Sequence, residues 1–280
     1  MAVTNFIPQI WSARLLQHLD TSHVYANLVN RDYEGNISAY GDTVKIQQIG
    51  DITIGDYVKN TDIADPQTLT GDQRTLTIDQ AKFFNFQIDD VDNAQTNPKL
   101  MDAAMQRAAY ALADSTDKYV ASFYTDVPAA NQIGSDTTPT VLTADNIYDT
   151  LVDLSVLLSE ANIPQMGRWV VVPAWAKGML RKNDLFVHAT PSGDSVIQNG
   201  LIGQAAGFNI YESNNVPNTT KTKYKILAGT NIAISYAEQV VQTEAFRMEK
   251  RFSDAVKGLH VYGGKTVQPT SLALITANKA

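Results

Sequence analysis

Apolar residues near the N-terminus recur at helical spacing. Between residues 8 and 30, Ile10, Leu15 and Leu19 form a partial stripe with a period near that of an α-helix. The pattern fades at Gly35, where Gly followed by Asn is typical of a turn. The sequence therefore predicts a helical N-terminal segment that ends before a turn.

The period changes to two residues between residues 42 and 90. Apolar and polar side chains alternate from Val44 onward, and the alternation returns over residues 74–78 and 82–88. The stretch in between, residues 55–73, is polar and contains Gly, Asp and Pro. This pattern predicts a long two-stranded hairpin with a polar tip. Because a free two-stranded ribbon is only marginally stable in water, we expect the hairpin to lie on another surface.

The strongest helical pattern covers residues 100–124. Apolar residues such as Met105 and Leu112 recur at spacings of three, four and seven, and alanines fill many of the other positions. Asn97 followed by Pro98 is typical of a helix N-terminus. A helix of this length would extend about 40 Å.

Shorter elements alternate in the second half of the chain. A helical pattern begins at Thr143, residues 169–172 form an apolar strand, another helix opens at Pro173, and a strand begins at Phe208. We interpret residues 200–207 as a short helix with glycines at its ends. Strand patterns dominate the remainder of the chain. Together these elements predict an α+β fold with a compact central module.

The composition narrows the class of protein. The chain has 280 residues, and its 22 Lys and Arg against 29 Asp and Glu give a net charge of −7. This acidic balance argues against a general nucleic-acid binder and against a polybasic membrane anchor. Cysteine is absent, which excludes disulfides, thiolate metal sites and cysteine nucleophiles. Charged residues make up only 18% of the chain, and such a surface suits burial against other copies.

The N-terminus shows no basic and apolar targeting pattern, and no apolar run is long enough to span a bilayer. We therefore expect a soluble, unprocessed protein made in a reducing cytoplasm, with no membrane partner.

Acidic and histidine residues do not form a recognisable site. Asp89, Asp90 and Asp92 lack the glycine and the distal glutamate of a calcium loop, so we interpret them as acids favoured at a helix N-terminus. The histidines are too irregularly spaced for a zinc motif, and we expect packing or surface roles for His18, His23, His188 and His260.

Nucleophile and phosphate motifs are also missing. There is no Gly-x-Ser-x-Gly elbow, and the glycines of residues 200–207 lack the endings of a P-loop and the spacing of a dinucleotide fingerprint. The basic residues Arg168, Lys177, Arg181 and Lys182 are interpreted as a solvated helix surface. The sequence thus predicts no catalytic residue, no metal site and no cofactor.

Three stretches carry a family resemblance. Residues 169–180 are Trp-Val-Val-Val-Pro-Ala-Trp-Ala-Lys-Gly-Met-Leu, and residues 207–217 are Gly-Phe-Asn-Ile-Tyr-Glu-Ser-Asn-Asn-Val-Pro. Residues 88–95, Ile-Asp-Asp-Val-Asp-Asn-Ala-Gln, are similar to the segment before a long helix in the same family. Over nearly its whole length the chain resembles the major capsid proteins of tailed bacteriophages with the HK97-type fold.

The resemblance implies a division of the chain. Residues 1–40 would be an N-terminal arm that reaches over a neighbouring subunit, and residues 41–90 an extended hairpin loop. Residues 91–130 would belong to a peripheral domain with a long spine helix, residues 131–235 to an axial domain, and residues 236–280 to a β-rich return to the peripheral domain.

The resemblance also implies a function and a location. The protein would assemble with itself into hexamers and pentamers of an icosahedral head shell, enclosing double-stranded DNA without binding it sequence-specifically. Portal and scaffolding proteins, and a decoration protein, would be further partners. Because little sequence precedes the arm, we expect either a separate scaffolding protein or none. The shell would be part of the virion, and the chain would be made in the bacterial host cytoplasm.

Residues for contacts between subunits are predicted on the arm and on the hairpin. On the arm they are the apolar residues Phe6, Ile10 and Trp11; on the hairpin they are the polar residues Asp56, Lys59, Asp72 and Arg74. Some relatives join subunits by a Lys–Asn link. Lys59 lies near the hairpin tip, but no Asn partner or catalytic Glu is identifiable, so we predict no cross-link.

Two alternatives remain open at this point. One is an encapsulin-like nanocompartment shell, which an apolar cargo-docking groove near the N-terminus would favour. The other is a soluble enzyme with a cryptic site, which would be a compact monomer in size-exclusion chromatography.

Overall fold

A computed structural model describes most of the chain. The described residues are 23–34, 39–49, 52–57, 59–60, 62, 65–68, 71–89, 100–183, 201–249 and 253–279. The predicted arm contacts Phe6, Ile10 and Trp11 lie outside them, as do Asn97 and Pro98. None of the helices in the described part combines the length and the apolar character needed to cross a membrane.

The described residues form strands and three α-helices. In chain order the strands are β1 Thr43–Ile49, β2 Gly71–Thr77, β3 Gln80–Asp89, β4 Gln132–Ile133, β5 Thr140–Leu142, β6 Trp169–Val172, β7 Leu201–Ala205, β8 Phe208–Glu212, β9 Asn218–Thr219, β10 Lys223–Gly229, β11 Ile234–Arg247, β12 Ser253–Thr266 and β13 Leu272–Lys279. The helices are α1 Leu100–Ala121, α2 Ile147–Glu160 and α3 Ala174–Leu180. The combination of strands and helices confirms the predicted α+β class.

An eight-stranded mixed sheet forms the largest layer. Its order is β4-β13-β10-β6-β8-β7, with β5 beside β13 and β9 beside β10. The central strand β6 is buried on both faces: Val170 and Val172 pack with α2 and α3, and Trp169 and Val171 belong to the apolar cluster on the other face. Burial on both faces explains why this strand is continuously apolar in the sequence.

Helix α2 covers one face of this sheet through a stripe that includes Leu151, Leu154 and Leu158, all almost fully buried. The helix ends where Asn162 adopts a left-handed conformation with φ of 58°, and the amide of Ile163 donates to the carbonyl of Leu158. Such a C-terminal cap satisfies carbonyls that the helix leaves open.

A three-stranded antiparallel sheet has the order β11-β12-β3. Helix α1 packs on one face of it, where Met105 and Leu112 meet Phe84, Phe86 and Val256. The C-terminal end of α1 packs in the apolar cluster under the eight-stranded sheet, so this helix contacts both sheets. At roughly 33 Å, α1 is shorter than predicted, because a 3-10 turn at Ser122–Asp126 replaces its last turn.

The hairpin differs from its prediction. Strand β1 pairs with β2 from Thr43 opposite Thr77 to Ile49 opposite Gly71. Strand β3, which the sequence pattern placed in the hairpin, instead pairs with β12 in the three-stranded sheet. The physical reason is that Phe84 and Phe86 need a covered face, which α1 provides.

Two further expectations are wrong. Residues 201–205 form strand β7 rather than a helix, and the turn to β8 uses Ala206 and Gly207 with φ of 52° and 82°. Positive φ at both central residues is the geometry of a tight hairpin turn, so Gly207 serves a turn and not a helix cap. Strand β13, assigned to the β-rich return at residues 236–280, pairs with β10 in the eight-stranded sheet.

Candidate assembly surfaces

The hairpin exposes apolar side chains beyond its paired strands. Ile54 is 93% exposed, Tyr57 is 77% exposed, and Ile52 is also open to solvent. Its base, in contrast, is packed: Ile46, Leu76 and Ile78 form a buried cluster with Ala237 and Val261 of the three-stranded sheet. The hairpin is thus anchored at one end and presents an uncovered apolar stretch at the other. Exposed apolar patches of this kind mark interaction sites.

The polar hairpin residues predicted for contacts have different surroundings. Asp56 and Lys59 are exposed in the distal part of the hairpin, where they are accessible to another molecule. Arg74 is half-buried, and its guanidinium donates a 2.9 Å hydrogen bond to the carbonyl of Thr266, which fastens the hairpin to the end of β12. The side chain of Asp72 lies outside the described residues.

A second apolar surface lies on the outer face of the three-stranded sheet, opposite α1. Phe83 is 78% exposed there, and Leu259 and Phe246 are partly exposed. Phe83 and Leu259 stand opposite each other in the β3–β12 register. A shallow groove of about 290 Å³ runs beside them, lined also by Asn85, Glu244 and Lys257.

A buried ionic cluster lies where the N-terminal segment, α1 and the three-stranded sheet meet. Its members, which we call the ionic cluster throughout, are His23, Arg31, Asp117, Glu238 and His260. His23 lies between two acids, with Nδ1 3.6 Å from Asp117 and Nε2 3.4 Å from Glu238. Arg31 pairs with the same Glu238 carboxylate at 2.7 Å. Buried charges are tolerated only when they are paired in this way.

Glu238 is the centre of the ionic cluster. Besides His23 and Arg31, its carboxylate accepts a 2.7 Å hydrogen bond from the Tyr236 hydroxyl and lies 3.1 Å from Nε2 of His260. Burial alone would raise the pKa of Glu238, but its interactions with His23 and His260 outweigh burial and lower the pKa well below the ordinary value. Glu238 is therefore a carboxylate throughout the neutral range.

Sequence reasoning missed this cluster. His23 and His260 were assigned packing or surface roles, and both are buried as predicted for packing, but they also pair with acids. One signal was present: Asp117 falls on the stripe of α1 that carries Leu112, Ala113 and Val120, so an acid interrupts an apolar helix face. Such an acid requires a buried partner.

Arg168 also differs from its prediction. It is almost fully buried, not part of a solvated surface. Its guanidinium donates to the carbonyls of Ser155, Ile163 and Pro164 and to the hydroxyl of Ser159. These acceptors lie at the end of α2 and in the loop after it, so Arg168 fixes the connection from α2 to β6.

The described surface offers little for catalysis. A cleft of about 540 Å³ at the β7–β8 turn is lined by residues such as Tyr148, Gln165 and Gln204, and no carboxylate or histidine is among its lining residues. Within the described part of the chain, no three His, Asp or Glu side chains are arranged to hold a metal ion. The prominent features are instead an anchored hairpin, two exposed apolar surfaces and a helix joining two sheets.

These features define a class of protein: an α+β subunit with the HK97-type capsid fold, shaped to contact other subunits. The chain belongs to the family described as phage capsid protein, whose model matches residues 72–275. It is a structural protein of a capsid shell, not an enzyme, and this confirms the family predicted from the sequence.

Solved structures agree with the family. A structure from Mycobacterium phage Che8 is 33% identical, with a TM-score of 0.71 and coverage of 90% of each chain. The capsid structure of the cyanophage P-SCSP1u has a TM-score of 0.70 at 16% identity, covering 93% of this chain and 89% of the other. An encapsulin complex from Synechococcus elongatus PCC 7942 shares the fold at 11% identity, with a TM-score of 0.60 and coverage of 92% and 88%. No curated protein matches the sequence.

Proposed function

We propose that the chain tiles the icosahedral head of a tailed phage as hexamers and pentamers that enclose double-stranded DNA. The observation that carries this proposal is the hairpin, which is anchored at Ile46, Leu76 and Ile78 and exposes Ile54 and Tyr57 at its other end. An apolar stretch that cannot be buried within its own chain is stabilised by a neighbouring copy.

The two sheets support a division into functional units. We assign α1 with β3, β11 and β12 to a peripheral domain, and the eight-stranded sheet with α2 and α3 to an axial domain at the capsomer axis. Residues 1–40 are assigned to the arm. The extended loop is the β1–β2 hairpin, without β3.

Contacts between neighbouring subunits are assigned to the hairpin and the arm. Asp56 and Lys59 are exposed beside Ile54 and Tyr57, so a copy that covers the apolar residues also meets these charges. Individual exposed ion pairs contribute about 0–1 kcal/mol, so most of the binding free energy comes from repeated apolar contacts. We assign Phe6, Ile10, Trp11 and Asp72 to the same set of contacts.

Further partners and the site of synthesis follow from the capsid role. We infer that portal and scaffolding proteins act with this chain, that a decoration protein can join the finished shell, and that the chain is made in the host cytoplasm. The net charge of −7 supports DNA that is enclosed without specific binding, because an acidic wall does not hold phosphate groups.

Electron microscopy of the purified protein tests the proposal. Wild-type protein is expected to form closed shells or hexameric and pentameric rings. The Ile54→Asp variant should lower the assembled fraction about ten-fold or more, since it removes from every copy one apolar side chain that a neighbouring copy would cover. Thr53→Asp, next to it and also exposed, is the matched control and should assemble nearly as the wild type does. A wild-type chain that stays monomeric under all conditions would contradict the proposal.

The encapsulin structure favours one alternative, a nanocompartment that holds protein cargo. The contents of purified particles separate the two. Nuclease-protected double-stranded DNA supports the phage head, whereas a stoichiometric second protein without DNA supports the nanocompartment.

A further inference from the structure

Residues 23–30 dock onto α1 through one carboxylate. Asp117 accepts hydrogen bonds from three consecutive backbone amides, those of Val24, Tyr25 and Ala26, at 2.9, 3.1 and 3.3 Å. These amides lie at the start of the short 3-10 turn Ala26–Leu28, which has no side-chain cap of its own. Asp117 therefore supplies from α1 the cap that the N-terminal segment lacks.

The same segment is also attached to β11. The amide of Asn30 donates to the carbonyl of Ile234 at 3.0 Å, and the amide of Tyr236 donates to the carbonyl of Asn30 at 2.8 Å. This is a single parallel bridge, which holds less strongly than a full strand pair. The segment is also held by its apolar side chains, because Tyr25, Ala26, Leu28 and Val29 are buried in the cluster under the eight-stranded sheet. The contacts around Asp117 are the charged part of this attachment.

Protonated His23 supplies a cation to two buried acids, and Arg31, the other cation, is shared with the half-exposed Glu34. Two buried acids, Asp117 and Glu238, face two cations, His23 and Arg31. Glu238 keeps Arg31, the Tyr236 hydroxyl and His260 as partners when His23 is neutral. Asp117 keeps its three backbone amides but no cation, because among the described residues His23 is the only cation at ion-pair distance from it. When His23 loses its charge, the acid left without a cation is therefore Asp117, which caps the N-terminal segment.

Burial alone would lower the pKa of His23. The hydrogen-bonding capacity and negative charge of Asp117 and Glu238 outweigh burial and raise the pKa to about 9. Because this value lies above the ordinary 6.5, the stabilisation from protonated His23 is complete below about pH 6.5 and is lost as the pH rises through about 9.

We propose that residues 23–31 form a proton-dependent latch. With His23 protonated, the root of the N-terminal segment is held on α1 and β11. With His23 neutral, the segment detaches from Asp117 while both sheets remain folded. The latch is a property of the single chain and does not depend on the proposed assembly.

The groups facing His23 fix the direction of the effect. From α1 there is Asp117, from β11 Glu238 with Tyr236, and from β12 His260 behind Glu238; the segment itself contributes Arg31. Among the described residues, the charged groups at ion-pair distance from the His23 ring are the two acids Asp117 and Glu238. Higher pH removes the one charge that both acids share and weakens the attachment.

Proteolysis of the full-length chain tests the latch. A broad-specificity protease is applied from about pH 6 to about pH 10, and cleavage between residues 23 and 31 is followed by mass spectrometry. A synthetic peptide of residues 18–36, cut under the same conditions, corrects for the pH dependence of the protease. Relative protection should fall at least ten-fold over this range, with a ceiling of roughly 300-fold set by pKa values of 6.5 and about 9.

Two variants sharpen the test. His23→Gln should be cut faster than the wild type near pH 6 and show no pH dependence of protection. Lys118→Gln removes a cation from an exposed pair with Asp114 on the same helix and should behave as the wild type does. If His23→Gln fails to fold, the pH series of the wild type against the peptide decides alone.

Each remaining outcome overturns the proposal. Protection that stays constant with pH in the wild type would show that the proton plays no part. Far-UV circular dichroism follows the two sheets and the three helices, to which residues 23–31 add one short 3-10 turn. Loss of this signal in the same pH interval would mean general unfolding and not release of one segment.

Discussion

The two sheets bury their surfaces in opposite ways. The eight-stranded sheet is covered on both faces by its own chain, so that Val170 and Val171 are fully buried although they point in opposite directions. The three-stranded sheet is covered by α1 on one face and leaves Phe83 and Leu259 exposed on the other. The first sheet completes a folding unit within one chain. The second provides a rigid surface on which another molecule can be bound.

The ionic cluster lies between these two regions and combines their properties. Like the eight-stranded sheet it is buried, but it is held by charges. A single substitution at its centre is therefore expected to have a larger effect than substitutions in either sheet.

The largest loss is predicted for Glu238→Gln. Removing one partner of a buried ion pair typically costs about 3–5 kcal/mol, and here it removes an acid partner from both His23 and Arg31. Chemical denaturation of the unassembled chain measures this. Glu244→Gln on the same strand, where Glu244 pairs with Lys257 at the surface, is the control and should cost about 0–1 kcal/mol. Equal losses would refute the central role of Glu238.

A somewhat smaller loss is predicted for Leu154→Ala in the eight-stranded module. Leu154 is fully buried under α2, and truncation of a buried Leu costs about 2–5 kcal/mol depending on how far the cavity collapses. Val156→Ala on the exposed side of the same helix should change the free energy of unfolding by about 0.5 kcal/mol or less. A denaturant titration in which both variants behave alike would contradict the two-sided burial of this sheet.

A loss of about 1 kcal/mol is predicted for Gly207→Ala at the β7–β8 turn. Gly207 has φ of 82°, a conformation that costs an L-residue about 1–2 kcal/mol. Gly178→Ala in α3 is the matched control: a Cβ there meets no atom within 4 Å, so helix propensity should make it neutral or stabilising. Thermal unfolding in which Gly207→Ala is the more stable variant would rule out this turn geometry.

The smallest effect on folding is predicted for Phe83→Ser. Because this side chain is mostly exposed, its loss should change the free energy of unfolding by about 0.5 kcal/mol or less. The same variant should reduce assembly if the outer face is used between subunits. Light scattering at matched concentrations measures assembly, and assembly equal to that of the wild type would show that this face is not used between subunits.

Local sequence patterns correctly predicted those elements that can be recognised without knowing which other element they pack against. Helices α1 and α2 and strand β6 were predicted from the local pattern of apolar residues alone. The apolar face of a helix and a continuously apolar strand are both visible within a short stretch of sequence. Strand β3 was misassigned because its alternation fits any partner, and its true partner β12 follows about 170 residues later. Residues 201–207 were misassigned because a glycine with positive φ ends a helix and forms a hairpin turn equally well.

The candidate site was less predictable than the fold. The hairpin was predicted to lie on another surface because a free two-stranded ribbon is only marginally stable in water, and its contact residues, which remain a prediction, followed from the family resemblance. The ionic cluster was not identified, since His23, Asp117, Glu238 and His260 are far apart along the chain and no motif links them. Only the folded chain brings them together, and only burial gives their pairing a large energetic weight.

The long pairing of β11 and β12 has a mechanical consequence. These strands are hydrogen-bonded from Ile234 opposite Thr266 to Arg247 opposite Asp254, with one register shift between Val240 and Gln242. A tensile force along the strands loads all these bonds at once in shear, whereas a force across them would open the bonds one after another. A wall under internal pressure is stretched in its own plane. Where β11 and β12 run parallel to that tension, their hydrogen bonds share the load. The first rupture of hydrogen bonds is expected at the register shift beside Val240.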